Sequence, residues 1–233
     1  MQLSNATVLV TGANRGIGLA FARAALARGA RRVYAAARDP SRIQLPGVLP
    51  IQLDVTDPDQ VSRAVHDCRD VSVLVNNAGV AETGGFLQDP TLQATRRQLE
   101  VNFFGMLRMA QGFAPVLAAN GGGAMLNVLS IASWLNRPLL GTYGATKSAA
   151  WALTNGLRHE LRVQGTQVTA LHMGFVDTDL ARGIEMPKST PDAIVAAALD
   201  GLEAGQEEVL ADELTRQVKQ SLSSAAAAYL AAA

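Results

Sequence analysis

Ser130, Tyr143 and Lys147 bring a hydroxyl, a phenol and an ammonium to spacings that make chemical sense together around a carbonyl. The stretch from Tyr143 to Leu157 reads as helical, so Tyr143 and Lys147, four residues apart, share one face with the ammonium one turn beyond the phenol. A free tyrosine ionises near pH ~10 and a neighbouring cation favours the phenolate, so Lys147 is expected to move Tyr143 toward the range useful for proton transfer. Ser130 follows the apolar run Met125 to Leu129, which reads as a buried strand, and strand ends host chemistry in parallel sheets. Taken alone, Tyr-x-x-x-Lys recurs by chance, and the bland alternative is a half-buried tyrosine, a solvated lysine and a loop serine. The rest of the chain must decide.

The elements that would position these groups are legible in the alternation of short β-branched runs with longer helical patterns. Strands read at Thr7 to Val10, Arg32 to Ala36, Leu49 to Leu53, Val71 to Val75, Ala124 to Leu129, Gln167 to Leu171 and Glu208 to Leu210. That order predicts an α/β fold: a doubly wound parallel sheet with helices on both faces, in a single domain spanning 1–233. Length agrees, since 233 residues suit one α/β domain.

The first strand runs into Thr11-Gly12-Ala13-Asn14-Arg15-Gly16-Ile17-Gly18, and a helix opens at once through Leu19 to Arg28. Glycines let the backbone turn tightly and approach a pyrophosphate, while the helix N-terminus offers free N–H groups and partial positive charge. The spacing is Gly-x-x-x-Gly-x-Gly. At the end of the second strand, where an adenosine ribose would lie, Arg38 stands in place of an acidic residue. With Arg15 it could hold a 2'-phosphate, unless both are solvated surface arginines. Asp39 competes: were the strand to end later, its carboxylate would reach the ribose. Asp54 and Val55 after the third strand could meet the adenine edge, although Asp54 could equally form a turn.

The fourth strand runs into Asn76-Asn77-Ala78-Gly79, again at a carboxyl end. A helix from about Thr95 to Ala118 follows, nearly apolar all round, with Asn102 among Leu99, Val101, Phe103 and Phe104. An amide there needs partners, and its position alone favours a core asparagine bonded to backbone. The apolar outer face predicts a homo-oligomer. After the sixth strand, Gly174, Val176 and Thr178 lie in a turn beside the expected nicotinamide end, where Thr178 could bond the carboxamide or cap a helix.

Lys+Arg and Asp+Glu are both 20, with no basic run, so nucleic acid and anionic membrane are poor partners. The single Cys68, and an N-terminus lacking a charged and apolar leader, predict a cytoplasmic protein. No apolar run reaches the ~18 residues of a membrane span; the alanine-rich end from Ser223 to Ala233 is too short. The three histidines are scattered, so no metal site is expected.

With these pieces in order, the sequence resembles the short-chain dehydrogenase/reductase family over nearly its whole length. Thr11 to Gly18 is similar to that family's cofactor loop, and Asn76 to Gly79 to its Asn-Asn-Ala-Gly element. Ser130, Tyr143 and Lys147 match its catalytic serine and Tyr-x-x-x-Lys. Asn102 matches the helix asparagine that holds a water in the family's proton relay, which replaces the bland reading of that residue. The resemblance implies a Rossmann-like seven-stranded fold and a homodimer or homotetramer. It also implies hydride transfer between NADP(H) and a ketone, aldehyde or secondary alcohol. Tyr143 would be the general acid, Ser130 would hold the carbonyl oxygen, and Lys147 would bind the nicotinamide ribose. Met173 departs from the proline usual before Gly174, and the lid from Leu180 to Ser189 is short. Apolar candidates for the substrate pocket are Ile131, Trp134, Leu135, Leu140, Phe175, Val176, Leu180 and Met186. A sensor that binds the dinucleotide without catalysis, or an epimerase or dehydratase that recycles it, is the alternative, and the full Ser, Tyr and Lys set argues against a sensor.

Overall fold

The computed structural model describes residues 1–87 and 91–231; the last two alanines of the C-terminal alanine-rich segment lie outside the described residues. Seven strands form one parallel sheet: β1 (Thr7–Thr11), β2 (Arg32–Ala37), β3 (Leu49–Gln52), β4 (Val73–Asn76), β5 (Ala124–Val128), β6 (Gln167–His172) and β7 (Glu208–Leu210). Their spatial order is β3-β2-β1-β4-β5-β6-β7. The helices are α1 (Gly16–Ala27), α2 (Pro58–Asp67), α3 (Thr91–Leu99), α4 (Met106–Ala119), α5 (Gly141–Leu161), α6 (Pro191–Glu203) and α7 (Glu213–Ser221). This is the doubly wound architecture expected from the alternation, with strand ends displaced by one or two residues. None of the helices described is long and apolar enough to cross a membrane.

Strand side chains alternate between two cores because successive residues point to opposite faces. Val8 and Val10 of β1 join α1 and α6 through Phe21, Ala25, Ile194 and Leu199. Leu9, between them, joins α2, α4 and α5 through Met109, Phe113, Leu117 and Leu161. Each fully buried leucine or phenylalanine contributes about 1.5–3 kcal/mol relative to exposure, so burial on both faces is what holds the sheet between the helices. Pro50 sits in β3 at the sheet edge, where its missing N–H leaves no interior ladder bond unmade.

The helix expected from Thr95 to Ala118 is not uniform. It begins at Thr91 and opens into a π-helical turn at Glu100–Gly105 before continuing as α4. Such a turn inserts one extra residue into the helix, and here the widened turn contains Asn102. Gly105 closes the turn because a Cβ there would lie 2.6 Å from Val55 Cγ2, so Val55 is a packing residue of the α2/α4 core.

Candidate active site

The turn between β1 and α1 is fixed by glycines that nothing else could replace. Gly12 and Gly16 have φ of 67° and 54°, and a Cβ on Gly18 would stand 2.1 Å from the Gly12 carbonyl oxygen. Arg15 precedes α1 in an extended conformation without a side-chain cap, and no acidic residue occupies the first turn, so the N–H groups of that turn stay available. Beneath the loop, Thr11 Oγ1 accepts from both the Asn77 and Ala78 N–H groups at 2.9 Å, and Asn77 Nδ2 donates to the Thr11 carbonyl at 2.9 Å. The Asn77 to Gly79 segment is thus the floor on which the glycine loop rests. Thr178 lies on the other side: a Cβ on Gly16 would meet its Cγ2 at 3.2 Å. These residues fit a dinucleotide pyrophosphate, because the cradle is one that side chains would fill.

At the ribose end β2 stops at Ala37, and Arg38 is the first residue beyond it. Asp39 caps the following turn through one oxygen, Oδ1 accepting from the Ser41 N–H at 3.1 Å and the Ser41 hydroxyl at 2.6 Å. Arg38 is exposed and has no carboxylate partner among the described residues. Arg15 differs from expectation: it donates to Asp179 at 2.9 Å, bridging the glycine loop to the lid, because Asp179 is the nearest carboxylate. Arg42, unremarked in the sequence, lines a cavity of about 310 Å³ with Asn14, Leu19 and Arg23. Asp54 is a turn former at one oxygen, accepting from the Thr56 N–H and hydroxyl.

Ser130, Tyr143 and Lys147 converge at the carboxyl end of β5. The Tyr143 phenol lies close enough to the Ser130 side chain for that hydroxyl to favour its ionisation, and the Ser130 Oγ accepts from the Ala132 N–H at 3.1 Å. Lys147, buried, donates to the Val128 carbonyl at 2.8 Å, and its ammonium lies 5.7 Å from the centre of the Tyr143 ring. Burial pushes the Tyr143 phenol up to about 12, and the Ser130 side chain opposes it. Tyr143 as a whole is only half-buried, but its hydroxyl sits deep enough for desolvation to win. Burial pulls Lys147 down to about 8. The expected lowering of Tyr143 by the lysine charge is therefore not the dominant effect among protein groups: the ammonium is turned to the Val128 carbonyl.

Asn102 is committed to the protein. Its Oδ1 accepts from the Val80 N–H, and its Nδ2 donates to the Val80 carbonyl and to Thr146 Oγ1, all at 2.9 Å. The amide clamps the loop after β4 to α5. The clamp brings Gly79 between Asn102 and Lys147; a Cβ on Gly79 would be 3.3 Å from Asn102 Oδ1 and 3.9 Å from Lys147 Nζ. Gln98, buried in α3, plays a similar part, donating to Thr142 Oγ1 at 2.8 Å and accepting from the Glu82 N–H at 3.1 Å.

After β6, the Gly174 N–H donates to Asp212 Oδ2 at 2.6 Å, and Val176 pairs with Ser189, closing the lid on itself. Asp212 escaped the sequence reading because it lies 38 residues from Gly174 and reads simply as the cap of α7. Met173, in the usual proline position, is buried, and its carbonyl accepts from the Ile131 N–H at 2.8 Å, tying the lid root to the serine turn. Trp134 is not free to line a pocket: its ring stacks on His172 at 3.9 Å and meets Trp151 edge-on at 6.1 Å.

The family model for short chain dehydrogenase matches residues 6–188. The chain is 35% identical to a sorbitol dehydrogenase of Cereibacter sphaeroides, over 79% of this chain and 76% of that one. It is 36% identical to a galactitol 2-dehydrogenase (L-tagatose-forming) of the same organism, over 77% and 74%. A short chain dehydrogenase from Burkholderia cenocepacia J2315, solved in complex with NADP, superposes with a TM-score of 0.95 at 36% identity over 100% of both chains. A cradle for a dinucleotide beside a Ser, Tyr and Lys site, on this sheet order, defines a nucleotide-dependent oxidoreductase fold. The chain belongs to the short-chain dehydrogenase/reductase family.

Proposed function

We propose that this protein is an NADP(H)-dependent oxidoreductase acting between a ketone or aldehyde and the corresponding alcohol, with Tyr143 as general acid and base. The observation that carries the reading is the convergence of the Ser130 side chain, the Tyr143 phenol and the Lys147 ammonium, the last 5.7 Å from the Tyr143 ring, at the strand end beside the glycine cradle. Gly12, Asn14, Arg15, Gly16, Ile17 and Gly18 would hold the pyrophosphate end, with Arg38 at the 2'-phosphate. Asp54 and Val55 would border the adenine, and Asn77, Ala78, Gly79, Gly174, Val176 and Thr178 the ribose and nicotinamide. NADP is supported by Arg38 at the end of β2, by the engagement of Asp39 Oδ1 with Ser41, and by the NADP bound to the B. cenocepacia relative.

When bound, the nicotinamide supplies or accepts the hydride. Ser130 holds the substrate oxygen, while Tyr143 gives its phenolic proton to that oxygen as negative charge develops on it. Lys147 then stabilises the phenolate and passes a proton back from solvent. In the oxidative direction Tyr143 must first be a phenolate. One chain segment, 1–233, serves both cofactor and substrate.

An apolar substrate is supported by Phe86, whose ring would touch a Cβ on Gly141 at 3.3 Å, two residues from Tyr143, and by exposed Leu139, Leu180 and Met186 on the flanking loops. The polyol names of the Cereibacter relatives favour a second reading, a sugar alcohol. NADPH consumption with apolar ketones of graded size, set against NAD(P)+ reduction with sorbitol and galactitol, tests both. Turnover of the ketones supports the first reading, and turnover of polyols alone replaces it with the second. No nicotinamide chemistry with any carbonyl or alcohol contradicts the enzyme reading.

A further inference from the structure

His172 is the last residue of β6, fully buried, and has no part in the proton route from Tyr143 through Lys147. Its Nδ1 lies 3.1 Å from the Ser130 carbonyl oxygen. A carbonyl oxygen only accepts, so this contact is a hydrogen bond only when Nδ1 carries the proton. On the opposite edge of the ring Nε2 lies 3.5 Å from Glu208 Oε1 without a hydrogen bond. Glu208 has another partner: Lys219 Nζ lies 3.0 Å and 2.8 Å from its two oxygens. A proton on Nε2 alone would leave the Nδ1 lone pair pressed against the Ser130 oxygen. A doubly protonated ring is opposed by burial, which pulls His172 down to about 4 against the hydrogen bond to Ser130 and the charge of Glu208, while Lys219 and Lys147 add smaller pushes in the same direction as burial. The neutral Nδ1–H tautomer is the one that satisfies these contacts.

The ring cannot drift, because Trp134 stacks on it at 3.9 Å with 24° between planes, while Lys219 lies 4.7 Å from the Trp134 ring centre. The Ser130 carbonyl is thus held from two directions, by His172 and by the Ser133 N–H at 3.0 Å. Two residues earlier, Lys147 holds the Val128 carbonyl. The exit of β5 is pinned on both sides of Leu129, and the direction of the Ser130 side chain follows from that backbone.

We infer that His172 is a positioning residue for the reaction: by donating from Nδ1 to the Ser130 carbonyl, it sets the Ser130 hydroxyl against the Tyr143 phenol. This rests on the catalytic reading of Ser130 and Tyr143, so its test is made on the protein without substrate. Asparagine places its Nδ2 where Nδ1 stands, whereas glutamine places its amide near Nε2, and leucine offers no donor. His172→Asn, His172→Gln and His172→Leu should therefore differ in a way that loss of bulk alone would not produce.

The readout is nuclear magnetic resonance of protein labelled at tyrosine Cζ and histidine ring nitrogens. There are three tyrosines and three histidines, the Tyr143 signal being identified with Tyr143→Phe and the His172 signals by their loss in His172→Asn. The parent should show His172 protonated on Nδ1 and bare on Nε2. The Tyr143 Cζ signal, which reports the hydrogen bond at its hydroxyl, should stay at the parent position in His172→Asn and move in His172→Gln and His172→Leu. NADPH affinity, read by fluorescence, should stay within about threefold in all three, while kcat on any ketone turned over should fall about tenfold or more in the Gln and Leu variants only. Should the leucine variant not fold, the Asn and Gln comparison and the parent's nitrogen signals still decide. A parent His172 protonated on Nε2 alone, or Asn and Gln variants with the same Tyr143 signal, would overturn the inference whatever the fate of the enzymatic reading.

Discussion

The Lys147 ammonium stands 5.7 Å from the centre of the Tyr143 ring, one helical turn along α5, yet its hydrogen bond goes to the Val128 carbonyl. Among protein groups alone, burial sets both ionisations, raising the phenol to about 12 and lowering the lysine to about 8. The site therefore holds a buried cation whose loss of hydration costs the fold stability.

The sign of that cost is measurable. With its folded pKa at about 8 and an unfolded value of 10.5, Lys147 binds fewer protons in the folded state between those limits, so its penalty is full below pH 8 and disappears as pH rises to 10.5. Lys147→Met, which removes the charge, should raise stability near pH 7 by up to about 3 kcal/mol, less the lost bond to Val128. The gap should narrow as pH climbs through that window. Urea unfolding of the cofactor-free protein at pH 7 and pH 10 checks it; a gap that does not depend on pH would mean that the lysine is solvated.

Glycine 18 and glycine 156 make a matched pair. A Cβ on Gly18 would collide with the Gly12 carbonyl at 2.1 Å, whereas one on Gly156, in α5, meets nothing within 4 Å. Gly18→Ala should abolish dinucleotide binding by forcing the loop apart. Gly156→Ala should raise stability by roughly 0.5–1 kcal/mol, since alanine loses less entropy in a helix. Calorimetric titration with NADPH and thermal unfolding report the two results; NADPH binding to Gly18→Ala with parental affinity would refute the cradle.

On the NADP(H) proposal, coenzyme choice would turn on Arg38, with Arg15, which Asp179 now holds, as the second guanidinium within the same region. NADPH should be preferred over NADH by about tenfold or more, the scale of one charge-assisted hydrogen bond partly screened by water. Asp179→Asn frees Arg15 and should tighten NADPH a few-fold while leaving NADH unchanged. Ala37→Asp with Arg38→Ala should reverse the preference. Equal shifts for both coenzymes in Asp179→Asn would show that the ion pair governs the lid and not the phosphate.

Phe104, edge-on to Phe103, remains 43% exposed on the π-helical turn, and Trp151 and Leu153 are half-buried on α5. Apolar surface on adjoining helices is what a second copy of the chain would cover. Sedimentation at micromolar concentration should give a multiple of 24.4 kDa. A mass of one chain at every concentration would contradict self-association.

Much of this was readable beforehand because the signals are local. Strand and helix alternation, the glycine loop and the four-residue step from Tyr143 to Lys147 each lie within one element and its neighbour in sequence. The distant contacts were not readable. Asp212 reaches Gly174, and Asp179 reaches Arg15, across 38 and 164 residues. The π-helical turn at Asn102 was missed because apolar spacing does not reveal one inserted residue, and it changes what that amide does: the side chain clamps Val80 and Thr146. His172 read as one of three scattered histidines, since only the fold brings it to Ser130.

The most direct measurement is turnover by Tyr143→Phe, which removes a single hydroxyl and keeps the ring. With the carbonyl substrate that the panel identifies, kcat should fall by about 100- to 10,000-fold, the range for a lost general acid, while NADPH affinity and the unfolding midpoint stay near the parent's. The parent's alcohol oxidation should gain from alkaline pH, as the phenolate population grows toward a pKa of about 12, more than ketone reduction does. Activity of Tyr143→Phe within about threefold of the parent would contradict the assignment of Tyr143 as the proton donor.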